Sequence, residues 1–402
     1  MKHILLITDS YPPEIRSASH LMLELAEELT KRGNQVTVAT CWPQYNLDAG
    51  SQKIYSEDKI ENNIRVIRLK HLPHHKVNFI VRGISQLILP SLFIRKIKKL
   101  IKTKIDSVIV YSPPLPLSYV GAWVKKVYNA KFILNIQDIF PQNAIDLGVL
   151  KNKFIIKIFY AMEKYMYQKA DIITVHSEGN KNLVLKHYPD IKNKLTVLHN
   201  WVDINTHQKL SHKNYREIFN LDNKFVCVFA GVIGPSQYLT VLIQAAAALN
   251  HISDLCFLIV GDGTEKEKLQ KMACDLGLNN IIFKDFISRE DYPDLLNACD
   301  VGLVSLSPKN KTPVVPGKIL GYMAAGLPVV AFLNQESDGH EIISKSGCGY
   351  SVVSDNLNNI ISVISKVYDN KNQCKALGES GFNYVKNNFS KEACVDEIEQ
   401  FL

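Results

Sequence analysis

A chain of 402 residues, 46% hydrophobic and 21% charged, holds enough apolar material for two ordinary cores, and its even composition excludes a disordered or low-complexity protein. The net charge of +8 favours anionic partners, yet no nucleic-acid-binding motif accompanies it; eight scattered cysteines without a C-x-x-C pair exclude a zinc ribbon and fit the reduced thiols of a cytoplasm. No run approaches the ~20 apolar residues of a membrane span, and MKHILLITDSYPPE is too short an apolar stretch for a signal peptide, so it reads as a first strand.

Strand candidates follow in chain order as HILLITD (3–9), QVTVAT (35–40), IRVIRL (64–69), SVIVY (107–111), KFILNIQ (131–137), DIITVH (171–176) and LTVLH (195–199). A helix over 18–32 is stopped by Gly33 in the manner of a C-terminal glycine cap. The second half repeats the pattern with strands at 224–230, 255–261, 280–286, 300–306 and 327–333, and helices around 237–249, 264–276, 289–298 and 317–325. Such alternation specifies βαβ units, hence parallel sheets with helices on both faces. Two sets predict an α/β protein of two doubly wound, Rossmann-like domains, 1–204 and 205–375, joined at the polar stretch NTHQKLSHKN. Helices over 376–402 close the chain and are expected to cross back to the first domain.

Between Glu61 and Asp106 there is no acid, while bases such as Arg82, Arg95, Lys98 and Lys102 alternate with Ile and Leu. Segment 76–104 therefore reads either as a face for an anionic membrane or as a buried helix with a solvated lysine side.

Ligands of paired α/β domains bind at the carboxyl ends of strands. There VVPGKILGYMAAG offers Pro316 and Gly317 as a helix start, Lys318 as a cation and Ile319 behind it, matched to a diphosphate. FAGVIGPSQYLT places Gly234 in a sharp turn, with Ser236 and Gln237 opening a helix. LIVGDGTEKEKL adds Gly261 and Gly263, with Thr264 and Glu267 at capping-box spacing. In the first half Arg16, Ser17, Ser19 and His20 open the first helix. Asp138 follows a buried strand in NIQDIFPQNA, where a carboxylate accepts from a substrate hydroxyl or acts as a base; as a lone residue it is more often a loop cap. No D-x-D, P-loop, G-x-S-x-G or H-E-x-x-H occurs, so no metal-holding carboxylate pair is evident.

The segments YPPEIRSASHLMLELAEEL, QDIFPQNAIDLGVLKN, VLHNWVD, FAGVIGPSQYLTVL, VGDGTEKEKL and VPGKILGYMAAGLPVVA stand in the order seen in family 4 glycosyltransferases, and the chain resembles that family over nearly its whole length. The resemblance implies the GT-B fold: two Rossmann-like domains facing a cleft, the second holding the sugar nucleotide and the first the acceptor. It implies retaining transfer without a metal or other cofactor. QDIFP, LGVLKN and VPGK look most like the N-acetyl-L-fucosamine transferases of O-antigen and capsule assembly. Those use a UDP-sugar and a polyprenyl-diphosphate-linked glycan, which implies a peripheral enzyme on the cytoplasmic face of the membrane. By the same resemblance Lys318 and the amides near Gly317 and Gly234 meet the diphosphate, Phe286 and Ile287 lie by the uracil, and Asp138 orients the acceptor hydroxyl. Two glutamates that many members carry are matched here by Pro313 and Gly321, and a common Arg/Lys pair by Val232, Ile233 or Gln237. Lys318 is then the main phosphate-neutralising side chain. Rival readings are a UDP-sugar 2-epimerase of the same architecture and a non-catalytic nucleotide-sugar scaffold.

Overall fold

Strands rich in Ile and Val with no polar alternation need cover on both faces, and the chain supplies it by returning a helix after nearly every strand. The computed structural model describes residues 1–44, 47, 55–72, 79–146 and 148–402 and falls into two units, residues 1–200 with 391–402, and residues 201–390.

The first unit runs β1 (His3–Ile7), α1 (Ser17–Lys31), β2 (Gln35–Cys41), β3 (Asp58–Glu61), β4 (Ile64–Leu69), α2 (Phe79–Leu100), β5 (Ser107–Ser112) and α3 (Ser118–Tyr128). It continues through β6 (Lys131–Ile136), α4 (Gln142–Asp146), α5 (Lys153–Lys169), β7 (Ile172–Val175), α6 (Glu178–His187) and β8 (Leu195–Val197). The sheet order is β3-β4-β2-β1-β5-β6-β7-β8. Every pairing is parallel except β3 with β4, an antiparallel edge that corrects the expectation of an all-parallel sheet. DKIE escaped notice because an exposed polar edge strand carries no hydrophobic signal.

The second unit runs α7 (Ile204–Gln208), α8 (Tyr215–Ile218), β9 (Phe225–Ala230), α9 (Thr240–Ala248), β10 (Leu255–Val260), α10 (Lys266–Asp275), β11 (Ile281–Lys284) and α11 (Tyr292–Asn297). Then come β12 (Val301–Ser305), α12 (Gly317–Ala324), β13 (Val329–Leu333), α13 (Gly339–Ser346), β14 (Gly349–Val353), α14 (Leu357–Asp369) and α15 (Cys374–Asn388). Its sheet, β11-β10-β9-β12-β13-β14, is wholly parallel. α13 and β14 add a helix and an edge strand to those expected.

The closing segment is divided, not shared: α15 stays with the second unit, and only α16 (Lys391–Gln400) belongs to the first. It buries Val395 and Ile398 and lies along α1, where Arg32 bonds Glu28 at 2.9 Å, Asp396 at 2.5 Å and Glu399 at 3.0 Å. Among its parallel strands each sheet reverses order once, at β1/β5 and at β9/β12. Carboxyl ends flanking such a reversal splay apart and leave room for a ligand.

Candidate active site

At the second unit's reversal, the loop after β9 faces the start of α12. Pro316 caps α12 in extended geometry, no side chain closes the helix end, and its first turn carries no acid. The amide of Ile319 bonds Pro316 O at 3.0 Å and its side chain lies in the core, so Ile319 faces inward and offers no free donor. The amides of Gly317 and Lys318 remain for a ligand at the positive end of the helix dipole.

Lys318 leans across to the β9 loop. Its Nζ sits 4.9 Å from the centre of the Phe229 ring and donates to Gln237 Oε1 at 3.4 Å. No carboxylate pairs with it among the described residues. Desolvation pushes its ammonium down to about 8. A half-buried cation without an acid is costly, and an arriving anion relieves that cost.

The glycines separate into two kinds. Gly261 and Gly263 have φ of +145° and +154°, and a Cβ on them would lie 1.9 Å from Gly231 O and 2.1 Å from Ile233 O. Loop-on-loop contact demands glycine there. Around Gly317 nothing lies within 4 Å of an added Cβ, and at Gly234 only Val232 Cγ1, at 3.8 Å. The fold needs neither, and both leave bare backbone facing open space.

Two local expectations fail. Ser236 and Gln237 sit in a 3-10 turn, Pro235–Gln237, the amide of Gln237 bonds Gly234 O at 3.0 Å, and α9 begins only at Thr240. Gln237 therefore contributes its side chain and not a helix start. Thr264 forms no capping box, because α10 starts beyond Glu265, whose amide bonds Ile233 O at 3.2 Å. After β11, Phe286 is exposed and Ile287 packs on the core. Pro313 is half-buried in the loop before α12, and an added Cβ at Gly321 would be 3.5 Å from His207 Nε2.

In the first unit, β1, β5 and β6 deliver Asp9, Tyr111 and Asp138 at their carboxyl ends. Asp9 is buried and accepts from Arg16 Nη1 at 3.3 Å. Burial first, and then the charges of Asp138 and Asp9, hold the Tyr111 hydroxyl well above the usual range, so these groups share one neighbourhood. Asp138 itself is exposed, yet the dense protein around it raises its carboxyl pKa through desolvation. Ser17 is exposed at the start of α1 and His20 is half-buried. Ser19 is wholly buried, its hydroxyl bonded to Ser10, so it serves the packing of α1. Behind Asp138, Gln137 donates to Asn135 Oδ1 at 2.7 Å and accepts from Asn200 at 2.7 Å. Burial, with His199 beside it, pushes His176 down to about 4 and keeps it neutral.

Residues 18–206 match the profile of Glycosyltransferase Family 4 and residues 211–384 that of Glycosyl transferases group 1, one on each unit. The chain is a glycosyltransferase of GT-B fold. A protein of Escherichia coli strain K12 that bears the name of a colanic acid biosynthesis glycosyl transferase, WcaI, is 25% identical over 346 residues, 80% of this chain and 81% of its own. The N-acetylgalactosamine-N,N'-diacetylbacillosaminyl-diphospho-undecaprenol 4-alpha-N-acetylgalactosaminyltransferase of Campylobacter jejuni is 29% identical over 129 residues, 32% of each chain. The crystal structure of Anabaena Alr3699/HepE in complex with UDP superposes with a TM-score of 0.74 at 17% identity, covering 100% of this chain and 99% of the other.

The basic segment of this glycosyltransferase is less free than its composition implied. Arg65 pairs with Asp58, Arg68 with Glu61, Lys96 with Glu57 and Lys104 with Asp106. Leu89, Phe93 and Ile97 of α2 are core, while Val81, Ile84, Leu87 and Ile88 are exposed, so one helix is both buried and presented. Residues 76–78 lie outside the described residues. Among the described residues no helix is long and apolar enough to cross a membrane, and no group of three or more His, Cys, Asp or Glu is placed to hold a metal. Sequence reasoning missed Asp9 and Phe229. Asp9 in ITDSYPP stands at a strand end and was recoverable by the rule that found Asp138; Phe229 looked like any strand residue.

Proposed function

We propose that this glycosyltransferase moves an N-acetylated deoxyhexose, N-acetyl-L-fucosamine by preference, from UDP to a polyprenyl-diphosphate-linked glycan in surface polysaccharide assembly, with retention and without a metal ion. The observation that carries the reading is Lys318, a desolvated ammonium without an acid, beside the free amides of Gly317 and Lys318. Charge grows on the diphosphate as the bond from the anomeric carbon to its oxygen breaks. Groups fixed there beforehand stabilise the leaving group with no reorganisation. The acceptor oxygen forms the new bond, and its proton passes to the departing diphosphate or to Asp138, which orients the hydroxyl. Phe286 and Ile287 flank the base through the backbone of their loop, and Arg16 and His20 lie along the acceptor path. The QDIFP, LGVLKN and VPGK segments support the choice of sugar. The diphospho-undecaprenol in the Campylobacter relative's name supports the lipid-linked acceptor, and with it a place on the cytoplasmic face of the membrane, held by anionic lipid through the segment around 79–104.

The test is a panel of UDP-sugars offered with a synthetic polyprenyl-diphosphate sugar and read by mass spectrometry. Growth of the acceptor by one N-acetylated deoxyhexose, unaffected by EDTA, is expected. Epimerised UDP-sugar formed without acceptor, or donor binding with no product across the panel, would overturn the reading.

A further inference from the structure

We infer that α2, α3 and α5 together form a bilayer-docking face for anionic lipid, with α5 as its apolar anchor. Three observations place it. First, α2 packs on α3 and α3 on α5, so the three helices lie side by side on one face of the first sheet. Second, the layer is one-signed: α2 and α3 contain no acid, and the single acid of α5, Glu163, is buried and accepts from Tyr167 and Tyr188. Arg82, Arg95, Lys153 and Lys157 have no ion pair among the described residues.

Third, the layer turns apolar side chains outward. On α5, Phe154 is 73% exposed and Ile158 46%; on α2, Ile84 is 52% exposed and Leu87 55%. Phe154, Ile158 and Tyr165 recur at helical spacing on the side of α5 away from its buried Glu163 and Met166, so this is a second stripe and not the edge of the core. Each of these helices runs back from the carboxyl end of one strand to the start of the next. The outward residues of α2 and the pair Phe154 and Ile158 are in the first halves of their helices, and so lie toward the sheet edge that carries Asp138.

The occupant follows from shape and charge. With neighbouring helices about 10 Å apart, the apolar stripes of α2 and α5 stand roughly 20 Å from each other. That span suits a flat surface better than a peptide in a groove. Bases flanking exposed Phe, Ile and Leu match acyl chains beneath anionic headgroups. The half-buried Tyr119 and Trp123 of α3, Tyr119 stacked on Tyr165 at 5.9 Å, fill the middle with residues suited to an interface. The face deepens the lipid-linked acceptor reading by bringing the bilayer to the edge of the first unit where the acceptor is proposed to sit.

Co-sedimentation of the full chain with phosphatidylcholine vesicles, with and without phosphatidylglycerol, tests this. The vesicles hold no glycan acceptor, so failure here is separate from failure of the donor panel. The wild type is expected on the anionic vesicles only. F154D/I158D is expected to lower partitioning at least about tenfold, and K153E/K157E by a similar factor that shrinks in high salt. Unchanged UDP binding in both variants certifies the fold. Absence of wild-type binding, or wild-type-like binding by F154D/I158D, overturns the inference. So does a wild-type dimer that F154D/I158D converts to monomer, which would mean that a second copy covers the face.

Discussion

Lys318 concentrates the energetic argument into one side chain. Its ammonium is held near a pKa of about 8 by desolvation, and a bound diphosphate restores the charge and raises the value. The protonated form binds, so UDP affinity is full below pH 8 and falls as pH rises through it. Titration calorimetry should show about a tenfold loss between pH 7 and pH 9. A Lys318→Met variant should lose that pH dependence and most of the affinity. It should also gain roughly 1 kcal/mol of stability in urea, because an unpaired cation leaves a half-buried site. Gly317→Ala offers a complementary reading: no atom lies within 4 Å of the added methyl, so the melting temperature should not fall. If the bare backbone is there for the diphosphate, UDP affinity drops nonetheless; retained affinity would remove Gly317 from the site.

Between elements, the two glycine loops act as one part. Gly261 and Gly263 exist to let the turn after β10 touch the turn after β9, and the latter lies against Lys318. Gly261→Ala should therefore cost about 3 kcal/mol or more, measured by denaturant unfolding, since both the positive φ and the 1.9 Å approach resist a Cβ. The sequence displayed these glycines but not their reason. Local rules suggested a capping box at Thr264 and a helix start at Ser236; the contact between loops took the Glu265 amide and left a 3-10 turn instead. Legible features were those with a period or a punctuation mark: the βαβ alternation, the Pro316–Gly317 start, Lys318 and the strand-end Asp138. Features set by distant neighbours stayed hidden, such as the burial of Ser19 against Ser10, and the pairing of Arg65 and Lys96 that thins the basic stretch. Position along α2 could not say which of its apolar residues face outward, because the helix is apolar nearly all round; Val81, Ile84, Leu87 and Ile88 are exposed toward its start, and Leu89, Phe93 and Ile97 are buried after them.

For the molecule as a whole, the first unit is built from two separate stretches, residues 1–200 and 391–402. Arg32 draws α16 onto α1 through Asp396 and Glu399, and Lys2 donates to Leu402 O at 2.7 Å. Arg32→Ala leaves Glu28 buried without its main partner and should cost about 2 kcal/mol. Deleting 391–402 uncovers the face of α1 that Val395 and Ile398 seal, and the fragment should melt earlier and expose apolar surface to dye. Such interlacing sets a timetable for synthesis. Most of the first unit leaves the ribosome long before its last helix is made, so a growing chain carries an unsealed α1 through the whole synthesis of the second unit. Completion of the earlier-made half waits on residues 391–402.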